Sequence, residues 1–121
     1  MKPTAFIESK LFLIASGEEE EFAKALKVLI EQWLPGVEVR YNTEKQRRAV
    51  DYKAKLVRDL EESAAVMFLL SQNFKDSPCC HFESAAAILF DRIKGAKFRH
   101  LQILVLRMTL LRSRKYVLCL A

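Results

Sequence analysis

Residues 64–70 are Ala-Ala-Val-Met-Phe-Leu-Leu, and residues 71–83 are Ser-Gln-Asn-Phe-Lys-Asp-Ser-Pro-Cys-Cys-His-Phe-Glu. The apolar run predicts a strand that is covered on both faces of a sheet. A helical pattern begins near Pro78, a residue suited to the first helical position, and the turn before it is polar. In open α/β sheets, ligands bind where strand ends give way to helix starts. This turn is therefore a candidate site, with the carboxylate of Glu83 one and a half turns into the helix.

The rest of the chain alternates strands and helices in the same way. Strands are predicted at residues 11–15, 37–41, 64–70, 101–106 and 116–120, the second of them at a sheet edge because its apolar residues alternate with charged ones. The helices between them carry apolar stripes at Phe22, Leu26, Leu29, Ile30 and Trp33, at Leu56 and Leu60, and at Phe82, Ala86, Leu89, Phe90 and Ile93. This alternation predicts one α/β domain over residues 1–121. We expect a flavodoxin-like, parallel five-stranded sheet in the order 2-1-3-4-5 with helices on both faces.

Charge is distributed unevenly along the chain. Residues 1–91 hold 12 basic and 15 acidic residues, whereas residues 92–121 hold 8 basic and no acidic ones. A basic terminal region can bind nucleic acid, acidic lipid or an acidic partner. Nucleic acid is possible but not favoured, because no aromatic platform for stacking bases accompanies the charges. We favour a solvated loop and the capping of a helix C-terminus.

No apolar run approaches the roughly 20 residues of a membrane helix, and the N-terminus is unlike a signal peptide. A cytoplasmic protein is therefore the expectation. The odd cysteine count, with Cys79 and Cys80 adjacent, suits a reducing compartment. Zinc binding by Cys79, Cys80 and His81 is not expected, because successive helical residues point about 100° apart.

The spacing Ser71-x-Asn73-Phe74-x-x-Ser77-x-Cys79-Cys80-x-x-Glu83 resembles the Toll/interleukin receptor (TIR) domain family, in which many members carry Ser-x-Asn-Tyr/Phe-x-x-Ser-x-Trp-Cys-x-x-Glu. Two further stretches are similar to that family: Leu56-x-x-x-Leu60-x-x-Ser63, and LFLIAS at residues 11–16 before an acidic helix start. The similarity covers roughly residues 10–120. TIR domains have the flavodoxin-like fold, but the family's last helix is missing here, since the chain ends directly after the fifth predicted strand. We therefore expect the chain to be part of a larger protein or assembly.

The resemblance implies a function for Glu83. Many TIR domains hydrolyse NAD, and the glutamate at this motif position is their catalytic residue, so Glu83 would promote cleavage of the nicotinamide–ribose N-glycosidic bond. NAD is then the substrate, and no cofactor is expected. A single carboxylate suffices because the nicotinamide leaves from a cation and needs no general acid, unlike ordinary glycosidic leaving groups. Its anion would stabilise the oxocarbenium-like ribose.

Six further residues are candidates for binding NAD. Cys79 and Cys80 stand four and three residues before Glu83 on its helix and would form the wall beside it. Ser16 and Gly17 follow the first strand, where a loop can approach the ligand. Arg47 or Arg48 could neutralise the diphosphate. In the family motif, tryptophan is common where Cys79 stands, and the loop at residues 42–50 lacks a frequent Pro-Gly.

Other functions stay open. Many TIR domains are adaptors that signal by association with other TIR domains, and enzymatic members commonly require self-association; immune or cell-death signalling is the family-level expectation. The acidic residues 18–21 and the basic terminal region could be complementary faces for head-to-tail stacking. A nucleotide-sensing module without turnover is a further alternative. A phosphoacceptor receiver domain is rejected, because Ser16 and Ser71 follow the strands where acidic residues would be needed. In ordinary proteins, a glutamate such as Glu83 faces solvent.

Overall fold

The computed structural model describes residues 9–94, 102–110 and 116–120, with side chains over residues 9–91. It is a mixed α/β fold with a parallel sheet of three strands and helices. These strands are β1 (Ser9–Ile14), β2 (Val37–Arg40) and β3 (Ala65–Leu70). The helices are α1 (Glu20–Trp33), α2 (Glu44–Arg47), α3 (Tyr52–Glu62), α4 (Gln72–Asp76) and α5 (Pro78–Lys94), and a 3-10 turn at Gly17–Glu19 precedes α1.

Strand β1 lies between β2 and β3, and both pairings are parallel. In register, Leu11 stands beside Val39 on one side and Ala65 on the other. Strand β2 lies at the sheet edge, as its alternating sequence predicted. The carboxyl ends of the three strands therefore meet at one rim, which holds the candidate site.

Helices cover both faces of this sheet, as predicted. On one face, α1 packs over a cluster of buried residues that comprises Leu11, Leu13, Ala15, Ala23, Val39 and Leu69. On the other face, α3 and α5 pack over Phe12, Ile14, Val66, Phe68 and their neighbours. Because successive strand residues point to opposite faces, a continuous apolar run such as β1 supplies both clusters.

Two further strands are described by their backbone. Strand β4 (Gln102–Leu110) pairs parallel with β3, and β5 (Tyr116–Leu120) pairs antiparallel with β4. The prediction that all five strands run parallel is therefore wrong for β5. Only residues 111–115 separate β4 from β5, whereas a parallel crossover needs about a dozen residues or more. The side chains of the basic residues 92–121 lie outside the described ones.

The predicted helical stripes are only partly buried. In α1, Phe22, Leu26 and Ile30 pack against the core, but Leu29 is 38% and Trp33 72% exposed. In α5, Ala86 and Phe90 pack against the core, whereas Phe82 and Leu89 are about half exposed. The side chain of Ile93 lies outside the described residues. Apolar character predicted the helices, but it did not distinguish residues on the buried face from those one position beside it.

Two short helices interrupt segments for which the sequence predicted loops or turns. Helix α2 begins with a capping box, in which Thr43 accepts from the Gln46 amide and the Gln46 side chain accepts from the Thr43 amide. Helix α4 is capped by the Ser71 hydroxyl, which accepts from the Phe74 amide at 3.0 Å. Both helices lie at the carboxyl rim and shape the site. None of the described helices has the length and apolar character that crossing a bilayer requires.

Candidate active site

Glu83 points inward and is fully buried, at 0% exposed. It lies on α5, and Ser77 caps the first turn of this helix by accepting from the Cys80 amide at 3.3 Å. The Glu83 side chain is turned toward the carboxyl rim, where the loop after β1 and the segment after β2 converge on it. The ordinary expectation for a helical glutamate, a side chain in solvent, does not hold here.

Four hydrogen bonds converge on the Glu83 carboxylate. Arg47 donates through Nε to Oε2 and through Nη2 to Oε1, both at 3.0 Å, so the ion pair is bidentate. The Tyr52 hydroxyl also donates to Oε2, and so does the Asn42 side chain, through Nδ2 at 3.3 Å. Asn42 is held in turn by Lys55, whose Nζ donates to its Oδ1 at 2.9 Å. We call Glu83, Arg47, Tyr52 and Asn42 the Glu83 cluster.

The Arg47 guanidinium also makes hydrogen bonds to residues other than Glu83. Besides Glu83, it donates to the Ala15 carbonyl at 2.8 Å and to Glu44 Oε1 at 3.2 Å, and Nη2 lies 3.9 Å from Cys80 Sγ. Its side chain is 2% exposed. The charges of Arg47 and Glu83 thus compensate each other in a dry environment, which is the condition under which a buried pair is tolerated.

Burial and pairing shift the acid–base behaviour of the groups around Glu83. Burial alone would lower the pKa of Arg47, but the hydrogen bonds and charge of Glu83 outweigh it, and that pKa is raised. Burial raises the pKa of Tyr52, and the hydrogen bond to Glu83 raises it further. Burial likewise raises the pKa of the Cys80 thiol. Arg47 therefore stays charged, Tyr52 stays a donor, and Cys80 stays a thiol at neutral pH.

An open crevice of about 470 Å³ adjoins the Glu83 cluster. Its lining comes from the loop after β1, from α2 and its end, and from α4 and the turn after it: Ser16, Gly17, Glu18, Glu44, Arg48, Asn73, Asp76 and Ser77. Among the lining residues that the structure describes, three are carboxylates and one is a guanidinium, so this part of the crevice is acidic. Glu44 connects the two regions, because it lines the crevice and accepts from Arg47.

Gly17 permits the close approach of Glu44 at the mouth of the crevice. A Cβ at position 17 would lie 2.3 Å from Glu44 Oε1 and 2.5 Å from its Cγ. No side chain fits in that space unless Glu44 moves. Ser16, the neighbour of Gly17, uses its hydroxyl to accept from the Glu18 amide at 3.2 Å, and it is itself buried.

The structure separates the predicted site residues into two groups. Glu83, Arg47 and Cys80 are buried together, whereas Ser16, Gly17 and Arg48 line the crevice. Cys79 is partly exposed. Arg47 was proposed for the diphosphate, but in this conformation its guanidinium faces Glu83. That role stays a prediction, as does binding by the other five residues.

Sequence reasoning missed Tyr52 and Asn42, which complete the shell around Glu83. Asn42 comes two residues after β2, and Tyr52 begins α3. A signal for Asn42 exists: it follows a strand at the same rim as Ser16 and Ser71. The sequence carries no such signal for Tyr52, because an aromatic residue at the start of a helix usually belongs to the hydrophobic core.

Comparisons with protein-family models, with curated proteins and with solved structures found no match. The TIR resemblance therefore stays a prediction from the motif. Among the side chains of residues 9–91, no group of three or more His, Cys, Asp or Glu residues is arranged to hold a metal ion.

Proposed function

We propose that this protein is a TIR-like domain whose sheet keeps the flavodoxin-like strand order 2-1-3-4-5, although β5 runs antiparallel, and that it cleaves the nicotinamide–ribose bond of NAD with Glu83. The observation that carries the proposal is the position of that carboxylate. It points inward at the carboxyl rim. Arg47 connects it by hydrogen bonds to Glu44, which lines a crevice that is open to ligands. Substrates of open α/β folds bind at this rim. The motif resemblance supplies the reaction.

The reaction needs one anion beside the ribose. The C1′–N1 bond breaks with its electron pair going to the nicotinamide nitrogen, which thereby loses its positive charge. Water then attacks C1′ and releases a proton. The Glu83 carboxylate would strengthen its contact with the ribose as positive charge develops there. Tyr52 and Asn42 hold Glu83 in one orientation, so the carboxylate is preorganised.

Glu83 cannot touch a substrate while Arg47 covers it. Catalysis therefore requires a second conformation, in which the guanidinium leaves Glu83 and turns toward the crevice. Beside Arg48, at the edge of the crevice, it would meet the diphosphate, the role expected for Arg47 from the sequence. Self-association or contact with another TIR domain is the proposed trigger. The pairing of Arg47 with Glu83 would then keep the isolated domain inactive.

The acidic lining predicts which end of NAD enters the crevice. Glu18, Glu44 and Asp76 repel phosphates and attract the nicotinamide cation, while Arg48 is the one cation among the lining residues with described side chains. We therefore place the nicotinamide riboside half in the crevice and the diphosphate toward Arg48.

An NAD-consumption assay tests the proposal. Wild-type protein should consume NAD under conditions that promote assembly, and Glu83→Gln should lower kcat by about 100-fold or more. Glu61→Gln is the matched control, because it neutralises an exposed carboxylate outside the Glu83 cluster and should not change kcat. Full activity in a folded Glu83→Gln protein would remove Glu83 from the mechanism.

Opening can be measured without turnover. In a Cys79→Ser/Cys119→Ser background, the remaining thiol is Cys80, which is 0% exposed and lies against Arg47. Burial and the raised pKa both predict slow alkylation at neutral pH, with a rate that increases toward high pH. Conditions that activate NAD cleavage should accelerate this alkylation. Activation with unchanged protection of Cys80 would contradict an opening at Arg47.

A non-enzymatic scaffold is the second candidate, and the saturated hydrogen bonding of Glu83 favours it. In that case the ion pair serves stability alone. A scaffold would neither bind nor consume NAD in any assembly state. Binding without consumption would instead indicate a nucleotide sensor.

A further inference from the structure

An apolar groove runs between α3 and α5, on the opposite side of the molecule from α1. Its volume is about 360 Å³, and Leu56 and Leu60 are part of its lining. Val57, Phe82 and Leu89 also line it and are 45–58% exposed. Since an apolar cavity of about 150 Å³ can hold benzene, the groove has room for more than one ring-sized side chain.

A second apolar surface lies on the outer face of α1. Val28 and Leu29 are adjacent, Trp33 stands one turn after Leu29, and the three are 50%, 38% and 72% exposed. Ala25 continues this stripe one turn earlier. A tryptophan this exposed leaves a large apolar area in water, which is the kind of residue that anchors interfaces.

We propose that α1 of one copy docks into the α3–α5 groove of a second copy, with Trp33 as its anchor. The two surfaces lie on opposite faces of the sheet, since α1 packs over one core cluster and α3 and α5 over the other. Such an interface is heterologous. Each copy then offers one free groove and one free α1, and association continues into linear chains.

The lengths of the two surfaces match, and charge favours one orientation of the docked helix. The apolar stripe at residues 25–33 extends about 12 Å, and residues 53–60 of the groove extend about 10 Å, at 1.5 Å per residue. Glu21 lies one turn before the stripe, and Lys53 lines the groove near the start of α3; both are exposed. If α1 runs parallel to α3, Glu21 meets Lys53 and the apolar stripe meets the apolar lining.

Sedimentation velocity on the full chain tests the interface. Wild-type protein should form larger species as its concentration increases. Trp33→Ala and Leu89→Asp should each weaken association by at least about 30-fold. Val50→Ala is the matched control, because Val50 is fully exposed and belongs to neither surface. Circular dichroism should be unchanged in all three, since their side chains are exposed.

Two further experiments distinguish this arrangement from other forms of association. An equimolar mixture of Trp33→Ala and Leu89→Asp should form a 1:1 dimer and nothing larger, because each variant keeps the surface that the other lacks. Lys53→Glu should weaken association, and Glu21→Lys in the same chain should restore it. A wild type that stays monomeric at its highest soluble concentration would overturn the proposal. So would association that Trp33→Ala leaves unchanged, or a mixture that does not form the dimer.

Discussion

The Glu83 cluster and the crevice lie side by side at the carboxyl rim. The charged groups of the cluster are buried and paired, whereas those of the crevice are exposed to solvent. In the cluster, Glu83, Arg47, Tyr52 and Asn42 are 0–9% exposed, and the last three all donate to Glu83. In the crevice, the carboxylates of Glu18, Glu44 and Asp76 remain in contact with solvent.

The contrast separates stability from binding. A charge removed from the cluster leaves its partner buried and uncompensated, so the cost should be to folding. A charge removed from the crevice leaves no buried charge without a partner, so the effect should be on ligand binding and not on stability. Four experiments test this division, in order of decreasing expected effect.

Breaking the ion pair should have the largest effect. We expect Arg47→Met and Glu83→Gln each to lower the free energy of unfolding by about 3–5 kcal/mol. The double variant should lose much less than the sum, because no unpaired charge remains. Urea denaturation of the four proteins gives the coupling energy. Additive losses below about 1 kcal/mol each would mean that the pair is not buried as described.

Tyr52→Phe should cost less, since Glu83 keeps its bonds from Arg47 and Asn42. Loss of one hydrogen bond to a buried charge predicts a decrease of about 1.5–3 kcal/mol in the free energy of unfolding. Tyr41→Phe is the control, because Tyr41 contributes apolar contacts beside β2, and it should stay within about 0.5 kcal/mol of wild type. Equal effects of the two substitutions would contradict a special role for the Tyr52 hydroxyl.

Gly17→Ala acts at the boundary between the two regions. The new methyl group displaces Glu44, which loses its contact with Arg47, and we expect a loss of about 1 kcal/mol in thermal or urea denaturation. In a Glu44→Ala background the methyl group has room, so there Gly17→Ala should be nearly neutral. A loss of the same size in both backgrounds would exclude the clash with Glu44.

Asp76→Asn should leave stability unchanged and alter ligand preference by a few-fold at most, as expected for an exposed charge. If the nicotinamide cation occupies the crevice, wild type binds NAD more tightly than NADH, which lacks that charge. The substitution should reduce this preference, measured by titration calorimetry with both nucleotides. A preference that increases would place the diphosphate in the crevice instead.

Much of the fold was predictable because its signals are local. Helix α1 ends beside Pro35, and Gly36 has a φ of 91° that few other residues adopt, so this boundary was evident from the sequence. The apolar runs at β1 and β3 likewise predicted strands. The direction of β5 was missed although the nine residues 107–115 between the two predicted strands were already too few for a parallel crossover. Ser16, Gly17 and Glu83 were predicted to lie near the strand ends, and they lie at the carboxyl rim, as does Arg48.

The sequence by itself determined the order of the strands and of the three longer helices and singled out Glu83, because hydrophobic periodicity and turn residues act over a few positions. Only the tertiary structure decided that Glu83 would be closed off by Arg47, 36 residues away, and by Tyr52, 31 residues away. It also decided that Trp33 would face solvent and not the core. Partners distant along the chain meet through packing. No local sequence pattern encodes which of several arginines or aromatic residues will contact Glu83.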